Sequence, residues 1–470
     1  MRIWEILQGF TERERKKFPL WLEAELEGKH MDILQFVKVL LEFDHQPEKE
    51  MLWRQVFPHK PYKNGRFRRI VYEIKAKLKL FLAFSALKHD KDQLSIFYLR
   101  QLHQLGNPTL FESEAQKLLT DLEKSKLPSL SYYELLYRIH TEIRHHNLTY
   151  KIGTKDNLKQ GQQLSELLDP WWIHEKYLLA CMGDSLERVY GKDIPTSLLA
   201  EAEAFIQQHP DYARMKYLQL LILIMNMQED AQTEEIFTHF QEIAKERNKY
   251  HSEEFSHIYI YLINRTVRLF HQVEASKFAH LLFRLYGWGI EHRSLLHENY
   301  IPPASMRAWV HTGLFAEETG EVSRLMPLYL QRVVPHMREE VGALCQAKLL
   351  FQTKAFSAIS KLLFPHTYRD KLTEIESRII QLQTRYELAP VRSEELEVPL
   401  STLDRFIEDQ QHISEHYKSR YLKVVRIFLR MVKLDRERLL HKLWEEVGPS
   451  VPHSMKGWLR EKIQQKIDKL

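Results

Sequence analysis

A chain of 470 residues, 44% hydrophobic and 28% charged, with 23 Phe, 21 Tyr and 9 Trp, carries too much apolar and aromatic surface to be an intrinsically disordered protein. Its two cysteines, Cys181 and Cys345, lie too far apart in sequence to form a disulfide framework, and nothing argues for an oxidising compartment. With 15 Gly and 18 Pro there are few turns of the kind strands need, and Leu, Lys, Glu, Gln and Arg fill the stretches between them, so the predicted fold class is all-α.

The opening MRIWEILQGFTERERKK has charges at Arg2, Glu5 and Glu12 and no apolar core before a cleavage site, which does not read as a signal peptide. Three or four short helices are expected over 4–57, with Leu34, Val37, Leu40 and Leu41 on one buried face and Pro58 to Pro61 as the stop. A long helix over about 64–87 follows. Its apolar positions Phe67, Ile70, Val71, Ile74, Leu78, Phe81 and Leu82 fall on an arc of about 120°, and the opposite arc holds Arg66, Arg68, Arg69, Lys75, Lys77 and Lys79.

Helix pairs continue over 94–104, 111–123 and 131–147, with Asn107, Pro108 and Pro128 as turns and a soft boundary over 148–161. Asp169 and Pro170 are in the order expected of a helix start, cap then proline, leading into Trp171 and Trp172. Further helices are expected over 196–208, 212–227, 233–247, 252–271 and 274–286, then a looser stretch over 287–303. The longest apolar run, 218–227, is interrupted by Gln219 and Asn226 and has about half the length of a membrane span. The expectation is a cytoplasmic protein with no transmembrane segment.

The clearest internal repeat lies in 309–364. Each half reads as an apolar helix, a short polar break and a second apolar helix, and Gly313 and Ala347 are 34 positions apart. With Trp309, Gly313, Gly320 and Tyr329 in the first half, and Ala347 and Phe356 in the second, the stretch resembles a pair of tetratricopeptide units. The second half departs from the pattern at Lys354, where the turn glycine belongs, and at Ile359, where alanine is usual. That resemblance implies close helix crossing at Gly313 and Ala347, a turn needing positive φ at the glycine position, and aromatic filling between helices. The later run YRDKLTEIESRIIQLQTRYEL, followed by LSTLDRFIEDQ and a basic amphipathic helix, resembles uncharacterised bacterial helical-repeat proteins, which brings no activity with it. A loop over 390–399, from Pro390 to Pro399, is expected to precede three last helices.

Successive hairpins of this size bury their apolar faces by stacking. The expected architecture is a set of helical-hairpin repeats stacked as an α-solenoid beside an N-terminal helical bundle. Its parts are residues 1–150 with the basic helix, tetratricopeptide-like repeats over 151–390, and basic helices over 391–470 capping the solenoid.

No chemical motif stands out. His140, His145 and His146 are offset by five and six positions, and His292 and His297 by five, so neither set shares a helix face as metal ligands must. Gly65 and Gly191 each stand alone, short of the glycines a phosphate loop needs, and HExxH, CxxC and GxSxG are absent. No enzyme activity, metal or cofactor is expected. Charge is the one functional hint: residues 59–91 carry a net +8 and 412–470 a net +7, while the whole chain is +5. The expected partner is another protein held on the repeat scaffold. A nucleic-acid backbone is the second reading, through Arg66, Arg68, Arg69, Lys75 and Lys79 as the candidate polyanion- or partner-binding face, together with the helices over 418–442.

Overall fold

The computed structural model describes residues 2–43, 45–125, 130–152, 155–190, 197–209, 212, 215–228, 230–245, 252–272, 275–297, 299–363, 368–388, 393–448, 451 and 453–470. Pro128, Gly191 and Pro390, and the helix limits expected at 196, 247 and 274, lie outside these. Among the described residues the chain is all-α, with no strand beyond the isolated bridges His297 to Tyr300 and Ile301 to Val333. No helix among them is long and apolar enough to cross a membrane. The chain divides into two compact units, residues 1–119 with 141–157, and residues 120–140 with 158–470.

In the first unit four short helices, α1 (Arg2–Gln8), α2 (Glu12–Glu25), α3 (Met31–Leu41) and α4 (Lys49–Val56), precede α5 (Asn64–His89). Helix α2 opens with a capping box: Glu14 N donates to Thr11 Oγ1 at 3.3 Å, and Thr11 N donates to Glu14 Oε2 at 2.8 Å. Phe67, Ile70, Ile74, Leu78 and Phe81 of α5 enter the core with Phe18, Leu22, Phe36 and Trp53, as the spacing predicts, while Val71 is half-buried and Leu82 exposed. Helix α6 (Lys91–Gln104) packs on α5, and α7 (Pro108–Ser125) and α8 (Leu130–Tyr150) contribute residues to both units.

The second unit contains α9 (Lys155–Tyr190) from Leu158 onward, α10 (Leu199–Gln208), α11 (Lys216–Asn226), α12 (Asp230–Lys245), α13 (Ser252–Gln272), α14 (Ala275–Glu291), α15 (Pro303–Phe315) and α16 (Thr319–Leu330). It continues with α17 (Arg338–Gln352), α18 (Phe356–Leu363), α19 (Lys371–Leu388), α20 (Ser393–Glu408), α21 (Glu415–Lys433), α22 (Glu437–Glu446) and α23 (His453–Ile467). From α13 to α23 each helix packs on its neighbour in sequence, and α15 with α17 and α17 with α19 also meet.

Two expected boundaries are absent. Asp169 and Pro170 do not start a helix; Pro170 lies inside α9, and Pro399 lies inside α20 rather than in a loop. Proline keeps a helical φ and forfeits one backbone hydrogen bond. In both helices a buried stripe continues across it: Leu164, Ile173, Tyr177 and Cys181 in α9, and Leu396, Leu400, Leu403 and Ile407 in α20. Four helices, not three, therefore follow residue 392, and α14 runs on to Glu291, five residues into the stretch expected to be loose, the described residues of which stay non-helical from His292 to Pro302.

Gly313 does serve close helix crossing: a Cβ there would sit 2.5 Å from Val322 Cγ2 of α16 and 2.6 Å from Phe283 Cε2 of α14. The turn differs from the expectation. Gly320 lies in the first turn of α16 and has open space around it, and the left-handed residue is Glu317, with φ 61°. In the second hairpin Lys354 takes that conformation, with φ 58°. In both turns an amide reaches back five residues, Glu318 N to Gly313 O at 2.9 Å and Ala355 N to Leu350 O at 2.8 Å, the long bond of a Schellman cap. The two left-handed residues are 37 positions apart, so the 34-residue register of Gly313 and Ala347 slips by three at the turn.

Candidate functional site

The structure places the five basic residues on the exposed side of α5 but commits two of them elsewhere. Arg66 Nη2 pairs with Asp32 Oδ2 at 3.3 Å, and its guanidinium lies 5.3 Å from the Phe57 ring centre. Arg69 Nε pairs with Glu73 Oε1 at 3.0 Å. Arg68, Lys75 and Lys79 have no ion pair among the described residues. Tyr62 is turned inward, its ring 5.9 Å from both Trp53 and Phe67, which leaves Tyr72, 73% exposed, as the aromatic on this face.

The basic C-terminal helices are likewise bound up in pairs between helices. Arg426 bridges Asp404 and Glu408, Arg430 meets Glu446, Lys433 meets Glu397 at 3.0 Å, and Lys466 meets Asp435 at 3.1 Å. Lys462 Nζ and Trp458 Nε1 converge on Glu387 Oε1 at 2.9 and 2.6 Å.

The histidines are scattered in role. His146 is buried and stacks on Phe111 with ring centres 4.0 Å apart, His140 faces Gln160 at 3.3 Å, and His292 stacks on Trp288. Among the described residues no group of three or more His, Cys, Asp or Glu is placed to hold a metal ion. Cys181 and Cys345 are both buried free thiols, and burial pushes Cys345 up to about 12.

Two arrangements in the second unit were not singled out by the sequence. The first is a buried polar network across α15, α17, α19 and α21. Arg307 donates to Asp370 Oδ2 at 2.5 Å and to the Thr373 hydroxyl; Lys348 Nζ reaches Glu376 Oε2 at 2.5 Å; and Tyr421 OH donates to Glu376 Oε1 at 2.7 Å. Asp370 also caps α19 by accepting from Thr373 N at 3.0 Å. Burial would raise the Glu376 carboxyl, but Lys348 and Arg307 outweigh it and hold the group down at about 2. Two cations face two anions, so the network is closed on itself and offers no unsatisfied charge to a substrate.

The second is a cleft of about 430 Å³ between α12, α14, α15 and α16, a size within the range of ligand pockets. Phe283, Trp309 and Tyr329 form its buried wall, with Phe283 and Trp309 stacked at 5.4 Å and Trp309 and Tyr329 centred 4.8 Å apart. Its rim carries the exposed Glu291 and Glu321 and the half-buried Glu318. Arg284 pairs with Glu234 at 2.7 Å, Arg324 Nη2 lies 3.8 Å from Glu321, and His280 Nδ1 stands 3.5 Å from Glu318. Tyr329 OH donates to Glu291 Oε1 at 3.0 Å, and burial together with that carboxylate raises the phenol well above its ordinary value.

Trp309 is 1% exposed. A Cβ built on Gly287, which also lines the cleft, would lie 3.5 Å from its Nε1. Chemically this is an aromatic trough with carboxylates at its mouth, with no nucleophile and base brought together among the described residues. A signal for it exists in the sequence: Glu318, Glu321, Leu325 and Tyr329 recur at helical spacing, as do His280, Arg284, Gly287 and Glu291, so each stripe mixes acids with aromatics or glycine where a core stripe would be apolar throughout.

No protein-family model matches the chain, and no curated protein or solved structure does.

Proposed function

We propose that the chain is a non-catalytic protein-interaction scaffold of the helical-repeat type, working in the cytoplasm, in which tetratricopeptide-like hairpins stack as an α-solenoid and hold a segment of another protein. The observation that carries this reading is the cleft walled by Phe283, Trp309 and Tyr329, because it lies at the hairpin whose helices cross at Gly313. The succession of helices packed on their sequence neighbours supports the stacked arrangement. Recognition would be of an extended segment in a preformed trough, without covalent chemistry.

The second reading, binding of a nucleic-acid backbone by α5, rests on Arg68, Lys75 and Lys79, since Arg66 and Arg69 already hold carboxylates. One exposed aromatic, Tyr72, stands on that face, fewer than a stacking platform for single strands uses. A tagged pull-down from the native cell, split so that one half is digested with nuclease, decides between the two. A protein partner that survives digestion supports the scaffold; loss of every partner on digestion supports the nucleic-acid reading. The latter also requires weaker retention of the Arg68→Glu/Lys75→Glu/Lys79→Glu chain on a polyanion column, and unchanged retention removes those residues from it.

A further inference from the structure

We infer that the hairpin of α5 and α6 docks on the surface of an anionic phospholipid bilayer, its exposed apolar side chains entering the interfacial layer and its unpaired cations meeting the phosphates. This goes beyond the scaffold reading and does not depend on it.

The apolar surface comes first. Helix α6 is apolar on two faces: Ile96, Leu99 and Leu102 are buried, while Leu94, Phe97, Tyr98 and Leu105 form a second stripe that is exposed. A surface helix with one buried stripe ordinarily turns polar residues outward. The second half of α5 departs in the same way, since residues 80–87 read LFLAFSAL and of these only Phe81 is buried. Phe84 and Phe97, 57% and 45% exposed, are the two exposed phenylalanines among the described residues, and both lie on this hairpin. Exposed apolar surface gathered in one place marks an interaction site.

Charge names the occupant. Arg68, Tyr72, Lys75, Lys79 and Leu82 are all exposed and recur at steps of three and four, so cations and apolar residues share the outward ridge of α5. Arg66 and Arg69 hold carboxylates, but Arg68, Lys75 and Lys79 have no ion pair among the described residues. Lys88 and Lys91 are exposed at the turn into α6, and residues 59–91 carry a net +8. An anionic bilayer takes up both parts at once: its headgroups attract the cations, and its interfacial layer removes aromatic and aliphatic side chains from water. A nucleic-acid backbone would use the cations and leave Phe84, Leu94, Phe97 and Leu105 in water. A second copy docked through the same face in a two-fold dimer would set these cations against one another.

The test is flotation of the full chain with vesicles of phosphatidylcholine alone, and of phosphatidylcholine and phosphatidylserine in equal parts. The inference expects binding to the mixed vesicles and at least about ten-fold weaker binding to phosphatidylcholine alone. Lys75→Gln/Lys79→Gln and Phe84→Ser/Phe97→Ser should each weaken binding to the mixed vesicles by at least about ten-fold. All four altered side chains are exposed, so both variants should keep the unfolding midpoint of the unaltered chain. No binding to the mixed vesicles, or equal binding to both kinds, would overturn the inference. So would unchanged binding of the phenylalanine variant, which leaves charge attraction alone. A duplex oligonucleotide that binds where vesicles fail would return the face to the nucleic-acid reading, and a lipid-free dimer abolished by Phe84→Ser/Phe97→Ser would assign it to a second copy; either result sinks the bilayer. Failure on vesicles with a protein partner still captured in the cell leaves the scaffold standing.

Discussion

Lys348 Nζ lies 2.5 Å from Glu376 Oε2, with both side chains shielded from solvent, and the pair ties α17 to α19 while Tyr421 brings in α21. Removing one partner of such a buried pair strands the other charge, at a cost of about 3–5 kcal/mol. Lys348→Met alone is expected to lower the unfolding midpoint strongly. Lys348→Met with Glu376→Leu should cost less than the two single changes added together, by about 1–3 kcal/mol. Thermal unfolding of the four chains checks this; strict additivity would mean the pair is not coupled.

Acid should expose the same pair. The Glu376 carboxyl is held at about 2 in the folded chain against an ordinary 4.5, so its stabilising contribution is fully present above the ordinary value and is lost as pH falls through about 2. In the Lys348→Met chain the loss should begin at higher pH, because the main charge holding the carboxylate ionised is gone. Near-UV circular dichroism against pH reads the difference.

His174 predicts a separate, milder acid loss. It is 1% exposed, its Nδ1 donates to the Pro170 carbonyl at 2.8 Å, and its Nε2 has no partner. Burial lowers it from 6.5 to about 4, so the unfolded chain takes up a proton that the folded chain refuses. Stability is therefore present above pH 6.5 and declines as pH falls towards 4, by about 3 kcal/mol in all. A His174→Leu chain should keep its melting temperature between pH 7 and 5 better than the unaltered chain, and an identical decline would contradict this origin.

The hairpin turns give a test by single residues. Gly313→Ala drives a methyl into Phe283 and Val322 and should destabilise by about 1–3 kcal/mol. Gly320→Ala, in open helical surroundings, should be neutral or stabilising by up to about 1 kcal/mol. Lys354→Gly relieves a left-handed lysine and should stabilise by about 1 kcal/mol. Denaturant midpoints of the three variants settle the order.

How much of this was legible depends on periodicity. The spacing of an apolar arc opposite a basic one marks α5 at 64–87, within two residues of the observed Asn64–His89. Pro170 and Pro399 read locally as breakers, but the buried stripes on either side carry each helix past its proline. The Arg307, Lys348, Glu376 and Tyr421 network was illegible for another reason: its members are spread over more than a hundred positions, and each alone reads as a solvated charge or a packing aromatic. Helix α19 buries Thr373, Glu374, Ile375, Ser377, Ile379, Ile380, Leu382, Gln383 and Thr384, polar and apolar together, so no amphipathic stripe reveals which face meets a partner. The cleft was half visible, since Trp309, Gly313 and Tyr329 stood out as packing residues while the acids on the same helices passed for exposed surface.

The central claim, that a partner protein docks in the cleft walled by Trp309, is tested most directly by photo-crosslinking in the native cell. p-Benzoylphenylalanine would be placed at Leu325, which lines the cleft, and in a second chain at Tyr72 on the basic face. The account predicts a discrete protein adduct from Leu325 and no such adduct from Tyr72. Adducts from Tyr72 with none from Leu325 would contradict it.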